Sequence, residues 1–262
     1  MSIGGRLSYI KTLTFAPTVF EAYTRLFHII MFISKVWEHR RLLRNILRSI
    51  YFNFHYLPFR QAIYLPILLY KPKLRDLKGT IRIDGKVKFG MILLGFPYAP
   101  IYPNTGIMFQ NLGGAIVFRG SCNIGSNSGI SIGEKATCVF GSRFFASSSL
   151  KLLCFHSVEF GENARVGWDC MIMDTDFHKL SKLSGGYSKG VGSIFIGSNN
   201  WIGNGCLIMK RTKTPNYCTV QARTILDKAI DVPEYSIVGQ ARDIEVKATG
   251  LWRNIDDDVI VY

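Results

Sequence analysis

Residues 173–180 read MDTDFHKL, and they hold one of only five histidines in the chain. Two carboxylates, Asp174 and Asp176, come just before His178. A histidine titrates near neutrality, so it can take up a proton and return it at physiological pH. A nearby carboxylate can fix the ring tautomer and stabilise the imidazolium. Spacing alone does not choose between the two aspartates, although Asp176 is preferred. The same residue types could also ligate a metal. His156 is the only other histidine between residues 79 and 245, so a three-histidine site is not available and no metal is expected. Taken out of context, His178 reads as a surface histidine capped by neighbouring acids.

The context is an evenly spaced aliphatic pattern. Phe160, Val166 and Ile172 lie six apart, with Gly161 and Gly167 following the first two. Ala164 and Cys170 occupy the fifth place of each hexad. The pattern resumes with Ile196-Gly197, Ile202-Gly203 and Ile208, and Cys206 takes the fifth place there. Ile132-Gly133, with Cys138 and Gly141, gives a fainter earlier copy. Phe160 and Ile196 are thirty-six residues apart, a whole number of hexads. A step of six suits neither a helix nor an alternating strand. It suits a solenoid in which each flat side takes one hexad. The aliphatic residue would point inward and stack on its equivalent in the next coil, and the small residue beside it would permit the turn. Three sides make a coil of about eighteen residues. At roughly 25 cal/mol per Å² of buried apolar area, the stacked column would supply most of the stability. Ile172 would be the last inward residue before the chain leaves the solenoid. Residues 174–193, with SGGYSKGVG among them, would then protrude as a loop and set His178 on the rim. Functional groups concentrate on such loops.

The charge is unevenly spread. Residues 1–75 carry twelve Lys/Arg against Glu21 and Glu38, which is ten of the fourteen net positive charges. Within SKVWEHRRLLRNILRSIYFNFHYL, Leu42, Leu43, Ile46, Leu47 and Ile50 recur at three- and four-residue steps beside Arg40, Arg41, Arg44 and Arg48. That is the pattern of an amphipathic helix. Pro58, Pro66 and Pro72 then break it into short pieces. Residues 1–78 thus read as a basic, partly helical N-terminal arm, 79–245 as the solenoid and 246–262 as a tail. The arm suits contact of residues 1–75 with a membrane surface. The plainer reading is an arm packed on its own domain or on a neighbouring subunit. The apolar stretches LFHIIMFI and YLPILLY are too short to span a bilayer. No nucleic-acid reader motif accompanies the basic charge, so no nucleic-acid partner is expected. The six cysteines form no CxxC pair. Cys122, Cys138, Cys154 and Cys170 recur every sixteen residues, a spacing that could set them at similar corners of a coil. They read as small core residues in a reducing compartment. The N-terminus lacks the order of a signal peptide. The expected location is cytoplasmic, or peripheral at the inner face of the cell membrane.

Four stretches carry a resemblance: GENARVGWDCMIMDTDFHKL, IFIGSNNWIGNGCLIMKRT, DVPEYSIVGQA and NFHYLPFRQAIYLPILLYKPKL. With the hexads, they resemble the hexapeptide-repeat acyltransferases, most of all the sugar O-acetyltransferases of bacterial capsule and O-antigen synthesis. The resemblance covers roughly residues 80–245. It implies a mainly β chain folded as a left-handed parallel β-helix, a handedness that spacing cannot supply. It implies acetyl-CoA as acyl donor and His178 as general base toward a sugar hydroxyl, with Asp176 or Asp174 orienting the ring. Trp201 resembles the family tryptophan beside the pantetheine channel. Asn204 and Gly205 would line the same groove, and Lys210, Arg211 and Arg223 would meet the phosphates of coenzyme A. The family usually forms homotrimers with the donor between adjacent solenoids, so His178 and Trp201 would complete sites with different neighbours. This chain departs from the family pattern at Arg211, at Gln240-Ala241 and in Val220-Gln221-Ala222-Arg223-Thr224, where the family holds the nucleotide end of coenzyme A.

The expected activity is transfer of an acetyl group to a sugar, free or lipid-linked, in surface polysaccharide biosynthesis. Two other readings stand beside it. One is an acetyltransferase of a soluble small acceptor, serine- or xenobiotic-type, with the arm serving only as an oligomer contact. The other is a non-catalytic β-helical scaffold in which MDTDFH is a loop remnant.

Overall fold

The computed structural model describes residues 45–178, 181, 183 and 186–240. Most of the arm and the tail 246–262 lie outside these residues. Helix α1 is described over 45–56, and α2 spans Phe59–Ala62. Twenty strands follow, and they wind in coils. The first coil is β1 (Ile67–Leu69), β2 (Lys73–Leu77) and β3 (Thr80–Ile83). The second is β4 (Ile92–Phe96), β5 (Ile107–Asn111) and β6 (Ala115–Phe118), and the third β7 (Cys122–Gly125), β8 (Ser128–Ile132) and β9 (Thr137–Phe140). The fourth is β10 (Phe144–Ala146), β11 (Lys151–Cys154) and β12 (Ser157–Phe160). The fifth is β13 (Arg165–Val166), β14 (Met171–Met173) and, after the loop, β15 (Ile194–Ile196). Then come β16 (Trp201–Ile202), β17 (Leu207–Met209), β18 (Thr219–Val220), β19 (Ile225–Leu226) and β20 (Ile237–Val238).

The strands form three faces. Face A runs β1-β4-β7-β10-β13-β16-β18-β20, face B β2-β5-β8-β11-β14-β17-β19 and face C β3-β6-β9-β12-β15. Neighbours pair in parallel along each face, for example β4 with β7 and β9 with β12. On face C the last coils continue only as the single bridges Phe195–Lys213 and Lys213–Ala229. The chain is therefore a three-faced parallel β-helix, as the hexads require.

The hexads stack in register. Phe160 lies beside Ile196, Val166 beside Ile202 and Ile172 beside Ile208, and all six are buried. Face C adds an aromatic column in which Phe118, Phe140 and Phe160 stack with centroids 5.2 and 5.5 Å apart. Two devices make each corner. The residue at the fourth place of the hexad is left-handed, as at Asn163 (φ 56°), Asp169 (φ 57°), Asn199 (φ 56°) and Arg223 (φ 61°). The glycine beside the inward residue has a different task from the one expected. A Cβ on Gly161 would lie 2.5 Å from the Ser198 amide nitrogen of the next coil. That glycine is required by close stacking, while the turn belongs to the left-handed residue.

Coil length varies. Register partners are twenty-two residues apart between β8 and β11, twenty between β11 and β14, and eighteen only in the last coils, between β16 and β18, β17 and β19, and β18 and β20. A sixteen-residue cysteine spacing is shorter than a coil. Cys122, Cys138 and Cys154 therefore fall on faces A, C and B in turn, and not at similar corners. All six cysteines are buried and unbridged, as small core residues should be.

The solenoid starts at Ile67 and not at residue 79, because β1 and β2 already pair with the second coil. Helix α1 closes its open end. The Asn53 side-chain amide donates to the Ile67 carbonyl (2.7 Å) and accepts from the Ile67 N–H (3.1 Å). The Leu69 N–H donates to Ser49 Oγ (2.9 Å), and the Lys71 N–H to Asn45 Oδ1 (3.1 Å). Three residues spaced by four thus take the place of a missing strand.

Candidate active site

Strand β14 ends at the corner between faces B and C, and the chain leaves the coil there. Among the described residues that follow, Thr175 bridges Val191 and Ser181 bridges Tyr187, both antiparallel. The Asp176 N–H donates to the Gly190 carbonyl (2.8 Å), and the Gly192 N–H donates to the Asp174 carbonyl (3.0 Å).

Both aspartates hold this loop. Asp174 is fully buried, and its two carboxylate oxygens accept the N–H groups of Phe155 (2.7 Å) and His156 (2.8 Å). Those donors sit at the same corner one coil earlier, between β11 and β12. Asp176 pairs with the Lys210 ammonium, which follows β17 one coil later. Phe177 takes a left-handed conformation (φ 60°), bonds Thr175 Oγ1 through its N–H (3.0 Å) and sets its ring edge-on to Phe155 at 4.9 Å. His178 comes next, exposed at the rim. Among the described residues no hydrogen bond joins its ring to Asp174 or Asp176. The carboxylates therefore fix the backbone that carries the imidazole.

Of the other predicted residues, Lys210 and Arg211 share this corner; Arg211 is exposed and left-handed (φ 70°), with its N–H on the Ser193 carbonyl (3.0 Å). Trp201, Asn204, Gly205 and Arg223 lie elsewhere. Trp201 is exposed on β16 of face A. Asn204 and Gly205 turn the corner from face A to face B, where Asn204 Oδ1 accepts from the Trp168 N–H (3.1 Å) and the Gly205 N–H donates to the Trp168 carbonyl (2.7 Å). Arg223 sits one coil below, its N–H on the Asn204 carbonyl (2.8 Å). One chain thus gathers His178 with Lys210 and Arg211, and separately gathers the other four.

Several residues at these corners were not read from the sequence. Phe155 and His156 were missed as anchors of the loop. The signal was available, since they precede Asp174 by about one coil. At the corner between faces A and B, residues 97–106 reach down three coils. Tyr102 there donates its hydroxyl to Asp169, and that bond pushes the phenol up to about 12. The Trp168 indole N–H donates to Ser147 Oγ (2.6 Å), with its ring 6.1 Å from that of Tyr102. Among the described residues, no three His, Cys, Asp or Glu side chains come together as metal ligands.

No family model matches the sequence. No curated protein matches it either. Among solved structures the chain is similar to the crystal structure of the polySia specific acetyltransferase NeuO, with a TM-score of 0.42 and 17% identity over 72% of this chain and 92% of that one.

Proposed function

We propose that this chain is an acetyl-CoA-dependent O-acetyltransferase acting on a sugar hydroxyl in surface polysaccharide synthesis. The observation that carries the reading is the loop at the B-to-C corner. A rigid solenoid ejects it beside the fifth coil, two carboxylates tie it to the coils on either side, and His178 is left exposed at the rim. Such fixing of a single acid–base group is what proton transfer in the transition state needs.

In this reading His178 accepts the proton of the sugar hydroxyl as its oxygen attacks the thioester carbonyl carbon. The carbon–sulfur bond then breaks, and the imidazolium returns the proton to the leaving thiolate. The products are a sugar acetate and free coenzyme A. Asp174 and Asp176 act as positioning residues, through the loop backbone. The placement of the remaining candidates favours a homotrimer, with acetyl-CoA lying between copies. Trp201, Asn204, Gly205 and Arg223 of one copy would then face His178, Lys210 and Arg211 of the next. Six unbridged cysteines suit a reducing cytoplasm.

The test is release of free thiol from acetyl-CoA by the purified chain, with nucleotide-linked and lipid-linked sugars as acceptors and mass spectrometry for the acetylated product. Turnover only with serine-like or xenobiotic acceptors would move the reading to a soluble small acceptor. No turnover with any acceptor would leave the scaffold. For the shared site, His178→Ala and Trp201→Ala copies refolded together should recover activity that neither has alone. Absence of recovery would place donor and base within one copy.

A further inference from the structure

Helix α1 is apolar on its outward face as well as on its inward one. Its inward face carries Asn45, Ser49 and Asn53, which bond the edge of β1, and Phe52, which is fully buried against Phe109. Its outward face carries Leu47, Tyr51 and Phe54, which are 57%, 56% and 46% exposed. A helix on a wetted surface normally places charged or polar groups there. The apolar surface continues past the helix. The Phe59 ring is 70% exposed and lies 6.0 Å from that of Phe54, and Ile63 and Tyr64 beyond it are exposed as well. Beside this surface a groove of about 310 Å³ opens, lined by Ile46, Leu65, Leu68, Phe89 and Phe96. The segment that carries the patch is basic, and the first carboxylate after it is Asp76. Residues 45–75 contain Arg48, Arg60, Lys71, Lys73 and Arg75 and no Asp or Glu.

We propose that this end of the solenoid docks on an anionic lipid bilayer. The exposed aromatic and aliphatic side chains enter the boundary between headgroups and acyl chains, the groove receives an acyl chain, and the cations meet the phosphates. A second copy is the competing occupant of any exposed apolar face. A two-fold contact would set the same patch against itself and oppose two segments that carry five Lys/Arg and no Asp or Glu. An anionic surface relieves that charge. Among the described residues no helix is long and apolar enough to cross a membrane. The proposal does not depend on acetyl transfer.

The experiment is flotation of the full chain with vesicles of phosphatidylcholine containing about one third phosphatidylglycerol, against phosphatidylcholine alone. The chain should float with the anionic vesicles at least about tenfold more than with neutral ones, and added salt should release it. Two variants divide the contributions: Leu47→Glu/Phe54→Glu/Phe59→Glu for the apolar face, and Arg60→Glu/Lys73→Glu for the charge. All five side chains are exposed, so melting temperature should hold while each variant loses about tenfold or more of the anionic-vesicle binding. Three results would overturn the proposal. These are no flotation of the unaltered chain, undiminished flotation of either variant, or light scattering in which the first variant converts a dimer to a monomer without change in vesicle binding.

Discussion

Asp174 is the residue through which fold and site are most tightly joined, so its replacement by Asn is the most informative single change to the scaffold. The carboxylate is fully buried and accepts two backbone N–H groups at 2.7 and 2.8 Å. In Asp174→Asn one oxygen remains, and the other position becomes an NH₂ that faces a donor. One charge-assisted hydrogen bond is lost and one buried N–H is left without an acceptor, at a cost of about 3 kcal/mol. For a domain of this size that corresponds to a fall in melting temperature of roughly 6–12 °C. Hydrogen exchange at Phe155 and His156 should quicken in the same variant, since those amides are the ones released. Turnover, if present, should fall by about a hundredfold, because small displacements of a positioned group carry penalties of that order. Asp176→Asn is the control. Its pair with Lys210 is only partly buried, so stability should change by about 1 kcal/mol or less. Equal melting temperatures for Asp174→Asn and the unaltered chain, with unchanged exchange at Phe155 and His156, would refute the claim that this carboxylate anchors the loop.

Further predictions concern the scaffold. Asn53→Ala should lower stability by about 2–4 kcal/mol in denaturant unfolding, because the Ile67 N–H and carbonyl both lose their buried partner. Gly161→Ala should destabilise by about 1–3 kcal/mol or prevent folding, since its Cβ would press on the next coil's backbone, while Gly129→Ala, with its nearest atom 3.9 Å away, should be within about 0.5 kcal/mol of neutral by the same assay. Tyr102 gives a pH signature. Its hydrogen bond to Asp169 holds the phenol protonated to about 12, above the usual value near 10. Its stabilising contribution is therefore complete below about pH 10 and is lost as pH rises from there to about 12, as the unfolded chain gives up the proton first. The stability difference between the unaltered chain and Tyr102→Phe should close over that window, and a difference that widened there would contradict the assignment.

The middle of the fold was legible because stacking imposes a strict rule on it. Where one coil sits on the next without insertions, an inward aliphatic must recur at each face, and Phe160–Ile172 and Ile196–Ile208 state that rule plainly. From the third coil to the fourth, and on faces A and B to the fifth, the step is twenty or twenty-two residues, and the extra residues blur the hexad. The start of the solenoid was hidden for another reason. The first coil is basic and interrupted by Pro66 and Pro72, and its outer neighbour is a helix instead of a strand. Periodicity set Leu47 on the apolar face of an amphipathic helix, but the face of α1 turned to the open edge of β1 needs donors and acceptors, which Asn45, Ser49 and Asn53 supply and leucine cannot. The same competition decided the site. Sequence distance put two carboxylates near His178, but the backbone donors at Phe155 and His156 and the Lys210 ammonium lie closer in space and claim them.

The central claim is that the exposed imidazole of His178 moves the proton. Its most direct test is the rate of thiol release from acetyl-CoA by His178→Ala beside the unaltered chain, at equal acceptor concentration and with melting temperatures measured on both. Turnover should fall by about 10²–10⁴-fold with no change in melting temperature, since the residue is exposed. A His178→Ala chain that turned over at the unaltered rate would contradict it.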